Sequence, residues 1–236
     1  MDKQAIRERV WDELEASGDA RFPYPPHGRI PNFAGADEAA DRLAATDAWR
    51  RADAIKSNPD APQLPVRRRA LHEGKTVFMA VPRLRDAEPF TRLDPDEIDP
   101  ADYDAAATVS KSDRYAERVG PDAMPRVDLI VSGSVAVNDR GVRVGKGEGY
   151  SDLEFAILRT FGLVDDATTT ATTVHELQVV DADLPETAHD VPIDLIVTPD
   201  RTVRDERRAK PSGIRWEELP AERLEEIPVL RRLRDD

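Results

Sequence analysis

Residues 127–158 read VDLIVSGSVAVNDRGVRVGKGEGYSDLEFAIL, and the fold turns on them. The first part, VDLIVSGSVAV (127–137), is an apolar, β-branched run split by one glycine, the pattern of a central strand covered on both faces. NDRG (138–141) is a turn. Glycines then alternate at 145, 147 and 149 around Lys146, with Arg143 just upstream. Beyond them Leu153, Ile157 and Phe161 form one apolar stripe, which predicts a helix over 152–161. Ser151 and Glu154 fit the S-x-x-E capping box at its start. Strand, glycine loop and helix in this order make a βα unit.

The same alternation continues outward. Ile6, Val10, Trp11 and Leu14 recur at helical spacing in 3–14, and 36–49 is an alanine-rich helix candidate. RFPYPPHGRIPNF (21–33) is a proline-dense connector. A short helix over 66–72 stops at Gly74, and TVFMAV (76–81) reads as a buried strand. Residues 86–126 are acidic and irregular, with a short strand expected near Phe90 and a helix near Tyr115. TTATTVHELQVV (169–180) and IDLIVTP (193–199) are further strands. Strands alternating with helices predict an α/β fold: a three-layer α-β-α sandwich with a largely parallel, mixed central sheet, Rossmann-like in plan. Residues 1–203 would form this domain, and 204–236 a charged helical tail packed on it or extending from it.

Composition narrows the setting. A chain of 236 residues can bury a sizeable core. The formal net charge is −13 and 34% of residues are charged, so the surface repels nucleic acid, and a polyanionic ligand needs local cations. Positive charge comes mostly from arginine. An acid-rich, lysine-poor surface suits concentrated salt, so a halophilic host is expected. There is no cysteine, which excludes disulfides and thiolate metal sites. The opening MDKQAIRERVWDEL is too polar for a signal segment and no apolar run reaches membrane-spanning length, so a cytoplasmic protein is expected, as a monomer or weak homo-oligomer.

The glycine stretch has two physical readings. Glycines let backbone N–H groups approach an anion closely, Arg143 and Lys146 supply charge, and the following helix N-terminus favours phosphate. The alternative is a mobile hairpin loop. The spacing is neither G-x-x-x-x-G-K-[ST] nor G-x-G-x-x-G, which excludes those two nucleotide motifs.

Several motifs in order add to this. Arg143, Gly145, Gly147, Gly149, Tyr150 and Asp152 match an arginine followed by G-x-G-x-G-Y-Y-D-R, and Lys3 with Arg7 matches a first-helix K-x-x-x-R. HELQVV (175–180) and HDVPIDLIVTPDRTV (189–203) match a closing segment with a His-Asp pair. On these motifs, spread from about Lys3 to Val203, the chain resembles the 5-formyltetrahydrofolate cyclo-ligase (methenyltetrahydrofolate synthetase) family. RIPNFAGADEAADRL and SNPDAPQ bring it nearest to the branch of methenyltetrahydrofolate synthetase domain-containing proteins.

The resemblance implies an enzyme that uses ATP and Mg2+ to close 5-formyltetrahydrofolate to 5,10-methenyltetrahydrofolate through a phosphorylated formyl oxygen. It implies an ATP site of Lys3, Arg7, Arg143, Gly145, Lys146, Gly147, Glu148, Gly149, Tyr150, Ser151 and Asp152, with Arg143 and Lys146 catalytic. Asp152 and Asp190 would hold Mg2+, and Asp60, Gln63 and Tyr150 would contact the folate. Taken alone, Lys3 and Arg7 could equally be a solvated helix face, Asp190 a turn residue and Tyr150 an ordinary half-buried tyrosine. The chain also departs from the family: Ser151 replaces a tyrosine, Leu153 an arginine, Asp60 a glutamate and Gln63 a threonine. Those changes keep a second function open, a non-catalytic or substrate-shifted relative binding nucleotide, RNA or a protein partner.

Overall fold

The computed structural model describes residues 2–204 and 208–235, so 205–207 and 236 of the expected tail lie outside the described residues. Its strands are β1 (Ala20–Arg21), β2 (Asn32–Phe33), β3 (Ala54–Ser57), β4 (Thr76–Ala80), β5 (Phe90–Leu93) and β6 (Glu117–Val119). β7 (Leu129–Val131), β8 (Ala136–Val137), β9 (Arg143–Val144), β10 (Thr169–Thr173), β11 (Leu195–Val197) and β12 (Thr202–Arg204) follow. Eight of them form one sheet in the order β12-β11-β10-β7-β3-β4-β5-β6. The five from β11 to β4 run parallel, and β12, β5 and β6 pair antiparallel at the edges. The α/β class and the largely parallel, mixed sheet hold.

Strand alternation builds the layers. Ile55, Val77, Leu129 and Val131 face α2 (Ala36–Ala44), α3 (Asp47–Arg51) and α4 (Leu64–His72), where Leu43, Trp49, Val66 and Leu71 complete one core. The short α5 (Tyr103–Ala106) and α6 (Val109–Ser112) flank this layer. On the opposite face Phe78, Phe90 and Ile130 meet Leu153, Ile157 and Leu158 of α7 (Tyr150–Thr160). Ile227, Val229 and Leu230, at the junction of α8 (Ala221–Glu226) and α9 (Pro228–Asp235), join that second core. The first helix, α1 (Lys3–Ser17), buries the expected Ile6, Val10, Trp11 and Leu14 against the β8–β9 ribbon. Asp2 caps it and Gly18, at φ 78°, ends it.

Several expectations change. The apolar run 127–137 is not one strand. It pairs in the sheet only at 129–131, leaves at Ser132–Gly133, and resumes at 136–137 in the separate β8–β9 ribbon. The run 169–180 likewise stops at Thr173 and turns into a 3-10 helix capped by His175. Helix 36–49 breaks at Thr46, whose hydroxyl caps a new helix at Trp49 N. The helix near Tyr115 lies earlier, at 109–112. The capping box is absent: Gly149, at φ 68°, begins α7 with no side-chain cap. Ser151 and Glu154 instead make tertiary contacts.

β3 was not foreseen, and it organises the site. From β3 the chain crosses to β4 on one side and later to β7 on the other. The order therefore reverses between β3 and β7, and ligands in open α/β sheets bind beyond the strand C-termini at such a point.

Candidate functional site

A cleft of about 470 Å³ opens there. Its floor is Asn58, Pro59 and Asp60 after β3 and Gly133 after β7; Lys3 and Arg7 of α1 line it together with the loop 145–149 and the first turn of α7. The volume is in the range of small-molecule sites. Among the expected residues, Lys3, Arg7, Asp60, Arg143 and the whole run 145–152 line it, as does Asp190. Gln63 does not: it is fully buried behind Gly133 and its Nε2 donates to Thr173 Oγ1 at 3.2 Å. Its Oε1 lies toward Gly133, 3.1 Å from where a Cβ there would sit, and accepts no hydrogen bond.

The cations divide into two kinds. Arg143 is buried and both of its terminal nitrogens have partners: Nη2 reaches both oxygens of Asp152 at 2.9 Å and Nη1 reaches Gly133 O at 3.0 Å. Asp152 Oδ1 also accepts from Val191 N at 3.1 Å, so one ion pair joins β9, α7, the switch point and the β11 approach. Lys146 is open, with side-chain exposure of 38%, and pairs at 2.8 Å with Glu148. Burial works against its charge, but the Glu148 hydrogen bond and the nearby Asp60 outweigh this and hold its pKa above the ordinary lysine value. Lys3 donates to Asp190 Oδ2 at 2.7 Å, and Thr187 N donates to the same oxygen at 2.8 Å. Burial pushes the Asp190 pKa up, but these contacts prevail and it lies below the ordinary carboxylate value. Arg7 Nε donates to Gly145 O at 2.7 Å; burial lowers its pKa, and Asp2 partly restores it.

Asp60 is the carboxylate of the cleft with a raised pKa: burial dominates, and Lys146, Arg67 and Lys56 only partly offset it. Its backbone is fixed from below. Arg67 of α4 is fully buried and donates to Asn58 O at 2.6 Å, Asp60 O at 3.1 Å and Ala107 O at 3.0 Å.

Sequence reasoning missed a polar cluster beneath α7. Lys56 Nζ, buried on β3, donates to Glu154 and to Asn58 Oδ1 at 2.9 Å, while Asn58 Nδ2 donates to Ser151 Oγ at 3.1 Å. The only local signal was the four-residue AIKS segment beside SNPD. Its lysine hid the strand, since a central strand rarely carries a buried charge without a partner.

A metal held by protein carboxylates alone does not fit. Both Asp152 oxygens face Arg143, Asp190 faces Lys3, and among the described residues no group of three His, Asp or Glu side chains gathers around a common point. Asp152 and Asp190 each pair with a cation of the cleft wall, Arg143 and Lys3 respectively.

Residues 1–199 match the 5-formyltetrahydrofolate cyclo-ligase family. The chain is 44% identical over 240 residues to the methenyltetrahydrofolate synthase domain-containing protein of Mus musculus, covering all of this chain and 64% of that one. It is 40% identical to the protein of the same name from Homo sapiens, covering 99% of this chain and 62% of that one. It thus spans a little under two thirds of these relatives. The NMR structure of Aquifex aeolicus 5,10-methenyltetrahydrofolate synthetase superposes with a TM-score of 0.53 at 18% identity, covering 93% of this chain and 100% of that one, which shows a shared fold. With the family match over most of its length and the cleft at the sheet's switch point, the chain belongs to the 5-formyltetrahydrofolate cyclo-ligase family.

Proposed function

We propose that the chain is an ATP-dependent ligase that converts 5-formyltetrahydrofolate to 5,10-methenyltetrahydrofolate with release of ADP and phosphate. The observation that carries this reading is the convergence of Lys3, Arg7, Lys146, the glycine loop and Asp60 on one cleft. The formyl oxygen attacks the γ-phosphorus and ADP leaves. N10 then attacks the activated formyl carbon, loses its proton, and the phosphate departs. No step needs a covalent nucleophile from the protein, so catalysis is positioning and charge stabilisation.

Lys146 has the exposure and charge to meet the transferring phosphoryl group, and the amides of 145–149 would cradle the phosphates. Lys3 and Arg7 face them from α1. Arg143, paired with Asp152, holds the loop base and acts through position. Asp60 and Tyr150 bound the folate side of the cleft. Mg2+ enters as part of the MgATP substrate, ligated by phosphate oxygens, as this ion commonly is. A cytoplasmic location belongs to the same reading, and so does a salt-rich host, which the net charge of −13 supports.

The second reading, a binder without this activity, draws on Leu153, turned into the α7 core, and Gln63, fully buried with its Nε2 on Thr173. The test mixes the purified chain with 5-formyltetrahydrofolate, ATP and Mg2+ in high-salt buffer and follows methenyltetrahydrofolate by absorbance. ATP-dependent product supports the ligase. MgATP binding with no product from any formyl folate selects the second reading.

A further inference from the structure

The family match ends at residue 199, yet the glycine loop is held partly from beyond it. Ile227, Val229 and Leu230 anchor the C-terminal helices in the α7 core. This anchorage sets Arg223 of α8 beside the loop. Its guanidinium lies over the Tyr150 ring, 4.2 Å from the centroid, and its Nη2 donates to Glu148 O. At the other end of the loop Arg7 takes Gly145 O and packs against Gly147. The two carbonyls that bracket the loop are therefore gripped by arginines from opposite ends of the chain. Two more contacts keep the C-terminal segment in place: Arg85 Nη2 donates to Glu226 Oε1 at 2.8 Å, and His189 Nδ1 lies 2.9 Å from Glu218 Oε2. Between this segment and α7 remains a chamber of about 190 Å³, lined by Leu153, Ala156, Ile214 and Leu219, which shares Gly149 and Asp152 with the main cleft.

A loop with glycine at every second position has the most conformational freedom to lose. Gly147 sits at φ 112° and Gly149 at φ 68°, so the held conformation is one that other residues rarely adopt. Left untethered, the loop would have to be ordered by its ligand, and the affinity would fall by that cost. A charged hydrogen bond on one carbonyl and a cation over the adjacent ring remove much of that freedom beforehand.

We propose that Arg223 is a positioning residue of this nucleotide site, pre-forming the loop 145–149 from outside the family-matched region. The proposal rests on the reading that the cleft takes MgATP. The test uses the full chain with two readouts: ¹⁵N order parameters of the Gly147 and Gly149 amides without ligand, and MgATP affinity by calorimetry. Arg223→Ala is expected to lower both order parameters and weaken MgATP about tenfold, the scale of one charged hydrogen bond. The melting temperature should stay within a few degrees, and Arg223→Lys should recover part of the affinity. If Arg223→Ala fails to fold, Arg223→Lys carries the test, with a smaller change in the same direction. Unchanged order parameters overturn the proposal, and so does a more mobile loop with undiminished affinity. A wild-type chain that binds no MgATP refutes the nucleotide reading instead, while the order parameters still decide whether Arg223 fixes the loop.

Discussion

Asp152→Ala separates a scaffold aspartate from a metal ligand. The substitution removes both acceptors of Arg143 Nη2 and the acceptor of Val191 N, and leaves a guanidinium with 7% side-chain exposure facing no counter-charge. Removing one partner of a buried ion pair costs about 3–5 kcal/mol. The lower end applies here, because Arg143 keeps its bond to Gly133 O. For a chain of this size about 3 kcal/mol lowers the melting temperature by about 6–12 °C. Asp152→Asn keeps a carbonyl acceptor and should lose about half as much. The assay is calorimetric unfolding in buffer containing a chelator, so that no divalent ion contributes. In a double-mutant cycle, Arg143→Ala with Asp152→Ala should cost less than the sum of the singles. A melting temperature for Asp152→Ala within about 2 °C of wild type would refute the scaffold role, since a loss of that size is typical of an ordinary surface change.

Lys146→Ala should fold normally and lose about 100-fold in kcat for methenyltetrahydrofolate formation, the scale of one lost charge-stabilising donor; a rate within threefold of wild type would remove Lys146 from the chemistry. Gly133→Ala should destabilise by about 1–3 kcal/mol, seen as a lower urea midpoint. Its new Cβ would lie 2.8 Å from Ile30 Cγ2 and 3.1 Å from Gln63 Oε1, and an unshifted midpoint would contradict that packing. Asp60 binds its proton more tightly in the folded chain than in the unfolded one. Its contribution therefore falls as pH rises from about 4, the unfolded carboxylate value, through its higher folded pKa. Asp60→Asn should gain in melting temperature relative to wild type across that window, and a pH-independent difference would exclude the raised pKa.

What could be read from the sequence follows from how local each signal is. The loop 143–152 was legible because glycine spacing, a lysine and an aspartate act over ten residues of chain. The helix after it was legible from Leu153 and Ile157. The S-x-x-E pattern misled because its two side chains found better partners in space: Ser151 meets Asn58, and Glu154 meets Lys56. A capping box and a tertiary pair can share one spacing, and only the position of β3 tells them apart. β3 itself, four residues long, falls below the length at which periodicity separates a strand from a turn. Ser132–Gly133 breaks the run 127–137 for a reason visible only in three dimensions. Backbone there must pass close to Ile30 and Gln63 at the floor of the cleft. Gln63 was placed by counting from a family pattern, and a register gives a position without saying which way the side chain turns.

Arg67 has a mechanical consequence. Burial pushes its pKa down to about 10, so it stays a cation at neutral pH, satisfied by three carbonyls. Two of those carbonyls belong to Asn58 and Asp60 at the cleft floor, and the third belongs to Ala107, inside the acidic 86–126 segment. The guanidinium is thus a rigid strut between that segment and the floor. If Ala107 is displaced outward, either a charged hydrogen bond in a dry interior breaks or Asn58 and Asp60 are drawn after it. The acidic segment, though it places no side chain in the cleft, is geared to the width of the cleft floor.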